Sequence, residues 1–295
     1  MCNFHSELAR PLRPRDKGFM STGLAKKIID QIGSLERPSW VAFHGAGESL
    51  LHKNLIDILS YCKSYDSIQT GLLTNGMLLT KNLGLELIDS GISWIGFSID
   101  GVNKLKFERY RKGSDYERIV ENVLAFLQLK ETRNASINTK VNMTVQDEME
   151  NDVDNFIDFW IDKVDEVLVS PCKPIGTRTS QIIDVDRERI PCYMLYEVMV
   201  IFWDGKVPLC CEDWFNVSEM GDVKRNSIIE IWDGETYNSI RSLHERGLYN
   251  GLSLCKDCSS WINSVPERYF DHERGCNAEK NSWQYTYRRV KKLQP

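Results

Sequence analysis

The chain reads as an α/β protein, with a parallel sheet in its first part and a small cysteine-bearing domain in its second. Two observations carry this reading. Apolar strand-like runs and amphipathic helical runs alternate from about residue 22 to residue 170, a pattern that calls for parallel strands joined by right-handed crossovers. The alternation then stops near residue 175, and most of the cysteines lie after residue 170.

The elements follow in order. TGLAKKIIDQIGSL places Leu24, Ile28, Ile29 and Ile32 on one helical face, with Thr22 as a candidate N-cap. SWVAFHG is a buried strand that ends in glycine, and HKNLIDILSYCKSY is a helix. SIQTGLLTNG is a strand closed by a turn signal, and TKNLGLELIDSG is a helix with Gly91 past its end. ISWIGFSIDG is a strand, DYERIVENVLAFLQLK an amphipathic helix, SINTKVNMTV a strand, ENDVDNFIDFWIDK a helix and VDEVLVS a strand. The five strands fall at about 38–44, 68–74, 93–99, 135–144 and 164–170. A full eight-fold barrel does not fit; a partial barrel or an open doubly wound sheet does. In either, ligands sit at the carboxyl ends of strands.

Those ends read FHGAGES, LLTNG, FSIDG, VNMTV and VSPCKP. In HGAGES, Gly45 and Gly47 allow close backbone approach and Glu48 adds a carboxylate. A tight turn with an exposed acid is the plain alternative, and the third glycine of a dinucleotide fingerprint is missing. His44 is either a ligand contact or a packed strand-end histidine. Cys62, on a helix, reads as a core thiol. Cys172, just past the last strand, is a candidate hydrogen donor or substrate contact. Tyr110–Gly113 (YRKG) is a further candidate for the ligand side.

The second part changes period. EVMVIFWDGKVPLCC reads as a hairpin turning at Trp203–Lys206, with Cys210 on its second strand. SIIEIWDGETYNSIRSLHERG reads as one helix ending at Gly247, before the Cys255-x2-Cys258 turn. Cys192, Cys210, Cys255 and Cys258 make a four-thiolate set of the kind that holds zinc or an iron–sulfur cluster. Spacing alone leaves the metal open, and Cys211 leaves the second ligand open. In CCEDW, Asp213 is a candidate to face substrate, against a solvated or capping role. The tail, with Arg288, Arg289, Lys291 and Lys292, reads as a solvated cover helix.

Composition bounds the function. The chain has 295 residues, 42% hydrophobic and 27% charged, with net charge −5 and 9 cysteines. That balance argues against a nucleic-acid partner. No apolar run is long enough to span a bilayer, and no signal peptide opens the chain. A cytoplasmic, reducing setting is expected, where clustered cysteines point to metal or catalysis rather than disulfides.

With both parts read, the chain resembles radical SAM enzymes that carry a SPASM-type C-terminal extension, from about residue 1 to residue 261. HGAGES resembles the motif that contacts the methionyl amino group of S-adenosyl-L-methionine, with Ala46, Gly47 and Glu48 in the key places. LLTNG, with Asn75, and FSIDG, with Ser98, resemble the ends of the third and fourth barrel strands near that cofactor. RDKGFMS resembles the segment after the cluster loop. PCYMLYEVMVIFWDGKVPLCCEDW, GDVKRNSIIEIW and CKDC resemble the shortened SPASM module called a twitch domain. The resemblance implies a partial (β/α)6-type parallel barrel plus a small hairpin–helix twitch domain. The domains are then 1–178, 179–263 and a tail at 264–295.

The resemblance also implies the chemistry. A [4Fe–4S] cluster cleaves S-adenosyl-L-methionine reductively, and the 5′-deoxyadenosyl radical takes hydrogen from a small polar substrate or a peptide. One auxiliary [4Fe–4S] cluster is implied, on Cys192, Cys210, Cys255 and Cys258; full ligation by four thiolates suits electron transfer. A low-potential donor such as flavodoxin or ferredoxin is the implied partner. The family's cluster loop is C-x3-C-x2-C, and Cys2 matches its third cysteine. On this reading two cluster cysteines and the first barrel strand lie upstream of residue 1, and the chain as written is not expected to cleave the cofactor. The competing reading is a non-enzymatic, barrel-derived binding module stapled by a structural zinc site of four cysteines.

Overall fold

The computed structural model describes residues 17–45, 47–172, 188–258, 260–264, 266–281 and 284–290. Its elements begin with α1 (Thr22–Gly33), β1 (Ser39–Phe43), α2 (Leu55–Cys62), β2 (Ile68–Thr74), α3 (Lys81–Asp89) and β3 (Trp94–Ser98). There follow α4 (Lys104–Tyr110), α5 (Tyr116–Thr132), β4 (Asn138–Val145), α6 (Val153–Trp160), β5 (Glu166–Pro171) and α7 (Met194–Glu197). The remainder is β6 (Lys206–Pro208), β7 (Glu219–Asp222), α8 (Ile228–Trp232), α9 (Glu235–Glu245), β8 (Glu267–Asp271), β9 (Cys276–Asn281) and β10 (Gln284–Arg288). The chain divides into two compact units. One joins the segment ending at Glu36 to Lys173–Pro266; the other joins Arg37–Cys172 to the segment from Glu267 onward.

In the second of these, β1 to β5 lie side by side in chain order, each parallel to the next. Side chains alternate across a strand. One row, Leu72, Ile95, Phe97, Val141, Met143, Val167 and Val169, is buried beneath Leu59 of α2, Leu87 of α3, Phe107 of α4, Val123 and Phe126 of α5 and Trp160 of α6. All five helices therefore pack on one face. A doubly wound sheet would carry helices on both faces, so the barrel-type arrangement is the one formed. The other face holds Gly71, Leu73, Trp94, Gly96, Ser98, Lys140, Asn142, Thr144, Glu166 and Ser170. There the Trp94 indole lies over Gly71, within 2.0 Å of where a Cβ would stand, so that strand position has room only for glycine.

Local chemistry sets the element ends. Ser21, not Thr22, caps α1 by accepting from the Leu24 N–H at 3.2 Å. Thr80, Asn103 and Asp115 do the same for α3, α4 and α5. Helix α4 was not foreseen from its sequence.

The last segment is β-structure, not the expected cover helix. β10 pairs antiparallel with β5, and β9 and β8 continue the sheet to eight strands. Alternating aromatic residues in ERYFD and QYTYR favour strands. Arg288, read as solvated, pairs with Glu166 at 3.3 Å and Glu279 at 3.1 Å. Lys291 and Lys292 lie outside the described residues.

The other unit has its own core: Ile28 of α1 with Leu195, Val207, Leu209, Val223, Ile231 and Tyr237. Lys27 Nζ donates to the Val223 carbonyl at 2.8 Å, and Gln31 Oε1 accepts from the Ile228 N–H at 2.8 Å. Helix α1, first in the alternating pattern, thus packs with the cysteine-bearing segment. The expected hairpin is only partly present. Phe202 and Lys206 close its turn at 2.9 Å, but β6 takes β7 as its strand partner, with a register shift at Val207/Pro208. The expected single helix is split into α8 and α9 at Gly234. That residue is extended, and a Cβ there would meet the Glu230 carbonyl at 2.7 Å. No helix among the described residues is long and apolar enough to cross a membrane.

Asp165, just before β5, ties β4 and α5 together. Its Oδ2 accepts from Lys130 Nζ at 2.7 Å and from the Thr139 N–H and hydroxyl at 2.8 Å each. Burial pushes its pKa up, but these donors outweigh it and hold the carboxyl below its ordinary 3.8. A depressed carboxyl stabilises the fold above its unfolded-state value, and the contribution is lost as pH falls through the folded value. Asp165→Ala is expected to cost about 2–3 kcal/mol in urea unfolding at neutral pH. The gap from wild type should narrow as the pH is lowered below 3.8; a pH-independent gap would contradict the assignment.

Candidate cofactor and cluster sites

At the carboxyl ends of the parallel strands, two carboxylates organise the loops. Glu48 Oε1 accepts from the Thr74 hydroxyl at 2.7 Å and the Leu50 N–H at 3.1 Å, and its Oε2 accepts from the Asn75 N–H at 2.8 Å. Asn75 Oδ1 in turn accepts from the Met77 N–H at 2.9 Å, across Gly76 at φ +78°. The loop after β1 is thereby fastened to the turn after β2, and the expected cofactor contacts Glu48 and Asn75 are hydrogen-bonded neighbours. Gly47 is exposed beside them; Ala46 lies outside the described residues. The His44 ring stands edge-on to Trp94 at 6.1 Å.

The second carboxylate, Asp100 of FSIDG, is buried. It accepts from the Thr144 N–H at 2.9 Å and from Arg111 Nε at 2.5 Å. This draws the ends of β3 and β4 and the YRKG segment together. On the helix-free face Ser98 pairs in register with Asn142, and Thr144 with Ser170. The result is a row of small polar side chains at the strand ends. Asn142 Oδ1 and Gln146 Nε2 are buried without a hydrogen-bond partner among the described residues. The orphaned Asn142 amide oxygen beside Ser98, with Gln146 just past the end of β4, fits a polar ligand such as S-adenosyl-L-methionine. Asn142, Gln146 and Ser170 were missed from the sequence; the period-2 alternation of KVNMTVQ, polar on one face, is the signal that marks the first two. Cys172 extends the β4–β5 pairing, its N–H donating to the Val145 carbonyl at 2.8 Å. Cys62 is a core thiol, pushed up to about 12 by burial.

In the other unit, Cys210 lies past β6 in a bend rather than on a strand. Its thiol is near enough to Cys255 and Cys258, and that of Cys192 to Cys258, for their charges to act on one another. Burial pushes the Cys192 thiol up to about 11 and raises Cys210 as well. Backbone N–H groups oppose this. They do so at Cys192 (from Met194) and at Cys210 (from Glu212). Separately, the Ser260 N–H donates to Cys258 Sγ at 3.4 Å. An N–H aimed at a sulfur favours thiolate, and this donor set fits metal-bound cysteine. Cys211 is exposed, which favours Cys210 as the second ligand. Among the described residues no three His, Cys, Asp or Glu side chains converge on a single-ion point. Cys2 lies outside the described residues.

Asp213 takes the capping role. It is buried, and its carboxylate accepts from the N–H groups of Val217 (2.7 Å), Ser218 (3.0 Å) and Leu209 (3.5 Å). These bonds close the β6–β7 loop that carries Cys210, and they engage both carboxylate oxygens.

The family profile of the Radical SAM superfamily matches residues 1–159, and that of an iron–sulfur cluster-binding domain, SPASM, matches residues 192–259. The chain belongs to the Radical SAM superfamily. With membership come S-adenosyl-L-methionine and a [4Fe–4S] cluster, and with the SPASM domain auxiliary iron–sulfur ligation. Among the relatives of this radical SAM protein is the S-adenosyl-L-methionine-dependent 2-deoxy-scyllo-inosamine dehydrogenase of Niallia circulans, 23% identical, covering 86% of each chain. A second is the tungsten-containing aldehyde ferredoxin oxidoreductase cofactor-modifying protein of Pyrococcus furiosus, also 23% identical, over 88% of this chain and 84% of the relative. The fold matches BtrN in complex with AdoMet and 2-DOIA (TM-score 0.55, 20% identity, 83% and 82% covered). It also matches anSMEcpe with bound AdoMet (TM-score 0.63, 13% identity, 89% and 85% covered).

The Asp213 bonds generate a direct test. Asp213→Ala is expected to destabilise the protein by about 2–4 kcal/mol and to reduce cluster loading after reconstitution. Iron content and thermal unfolding read the two effects.

Proposed function

We propose that this radical SAM enzyme oxidises a small polar substrate, with one auxiliary [4Fe–4S] cluster held by Cys192, Cys210, Cys255 and Cys258. The observation that carries the cluster assignment is the N–H donor beside three of these four sulfurs. When bound, S-adenosyl-L-methionine and the reduced cluster of the radical SAM domain supply a 5′-deoxyadenosyl radical for hydrogen abstraction. The chain's own residues bind and orient. The loop of Gly47 and Glu48, the Asn75 turn and the Ser98–Asn142 row offer the polar groups that would receive the cofactor's amino acid and ribose. Four thiolates leave no open iron on the auxiliary cluster, which supports electron transfer rather than substrate ligation. The dehydrogenase relative from Niallia circulans supports a small hydroxylated substrate. The second reading is a peptide substrate; it draws support from the structural neighbour SuiB, solved with its precursor peptide SuiA. A flavodoxin or ferredoxin is the proposed electron donor. Cys172, at a strand end, is retained as a candidate substrate contact.

Anaerobic purification followed by iron and acid-labile sulfide analysis separates cluster from zinc: zinc without sulfide would falsify the assignment. Cys192→Ala or Cys258→Ala is expected to remove the auxiliary cluster's iron, about four atoms. If 5′-deoxyadenosine forms with substrate, those variants should still form it while losing oxidised product. Undiminished oxidised product would exclude the electron-transfer role. Asn142→Ala is expected to weaken S-adenosyl-L-methionine binding about tenfold, roughly 1.4 kcal/mol, by isothermal calorimetry.

A further inference from the structure

Arg189 and His244 stand beside the assigned ligands without being ligands themselves. The Arg189 guanidinium donates through Nη2 to the Cys255 carbonyl at 2.7 Å and through Nη1 to the Lys256 carbonyl at 3.2 Å. It lies 4.1 Å from the centre of the Tyr249 ring, whose hydroxyl donates back to the Arg189 carbonyl at 3.1 Å. His244 meets the same ring edge-on at 5.0 Å, and its Nδ1 accepts from the Cys192 N–H at 3.3 Å. Tyr249 is therefore shared by two residues, one bonded to the Cys192 backbone and the other to the Cys255 backbone.

Among the described residues, each of the two has an N–H without an acceptor. A ring nitrogen that accepts an N–H carries no proton, so the imidazole proton of His244 sits on Nε2. Both His244 Nε2 and Arg189 Nε are buried with no hydrogen-bond partner among the described residues. Buried N–H donors are rarely left without an acceptor, because the loss is not recovered elsewhere. Here both belong to side chains hydrogen-bonded to the backbone of assigned cluster ligands, Cys192 and Cys255, and a bound cluster would add inorganic sulfide as an acceptor. The positive charge of Arg189 also acts on the Cys192 thiol in the direction that favours thiolate.

We propose that His244 Nε2–H and Arg189 Nε–H donate to sulfur of the auxiliary cluster, and that this pair raises the cluster's reduction potential. The proposal rests on the four-cysteine assignment. Reduction adds an electron to a centre already surrounded by thiolate charge. N–H dipoles and a guanidinium charge beside the sulfurs favour the reduced state. Arg189 and His244 are positioning residues, acting on the cluster through its sulfur atoms and on its ligands through the backbone.

The test is an EPR-monitored redox titration of the reconstituted 295-residue chain, following the signal that Cys258→Ala abolishes. His244→Leu and Arg189→Met should each shift the reduction equilibrium toward the oxidised form about tenfold, a drop of about 59 mV for a one-electron couple. Arg189→Lys, which keeps the charge, should recover part of the shift. An unchanged potential at full iron and sulfide loading overturns the proposal and leaves the ligand assignment standing. Should a variant load poorly, the wild-type protein decides. With isotopically labelled histidine and arginine, pulsed EPR on the reduced cluster should show nitrogen coupling from each, and its absence overturns the proposal. Retention of the signal in Cys258→Ala would instead remove the ligand assignment itself.

Discussion

Five helices press on a single face of the parallel sheet, and that one-sided burial governs what the opposite face is free to do. Leu72, Phe97, Val141 and Val167 commit one row of every central strand to the apolar core. Because side chains alternate, the next row must point away from the helices. Glycine at 71 and 96, the Trp94 indole and the polar series Ser98, Asn142, Thr144 and Ser170 occupy it. The site is thus a consequence of period-2 geometry combined with helices on one side.

Hydrogen-bonded carboxylates then hold the strand ends in place. Glu48 fastens β1's loop to β2, Asp100 fastens β3 to β4, and Asp165 fastens β4 to β5 from the other end. Each accepts backbone N–H groups from a neighbouring segment, so each fixes geometry that hydrophobic burial alone leaves loose. The cysteine-bearing unit uses the same device. Asp213 closes the loop around Cys210, while Arg189, His244 and Tyr249 connect the backbone of Cys192 to that of the C-x2-C turn. Rigid thiol placement matters because cluster potential follows the hydrogen bonds around sulfur.

Much of this was legible in the residues. The five parallel strands fall within a few positions of those read from alternating apolar runs, since long periodic segments report burial directly. Cys192, Cys210, Cys255 and Cys258 stood out by spacing, and the thiols do act on one another. Less legible were contacts that join distant segments. Asp213 read as a candidate substrate contact, because nothing in CCEDW announces that its oxygens are taken by N–H groups in the following turn. The tail read as helical from its basic residues, although Arg288 finds Glu166 across 122 positions. One helix became two at Gly234 because of a backbone close approach that propensity does not encode.

The sequence by itself determined the parallel strand set, the class of ligand ends and the four-thiol pattern, because these rest on local periodicity and fixed spacings. Only the tertiary structure decided which face the five helices leave free and that α1 packs with the cysteine-bearing segment. It alone showed that strands from the far end of the chain extend the sheet, and that the Asp213 carboxylate closes the loop around Cys210. Those outcomes depend on pairings between residues far apart in the chain. Such pairings are selected by the summed burial and hydrogen bonding of the whole unit, which no local stretch records.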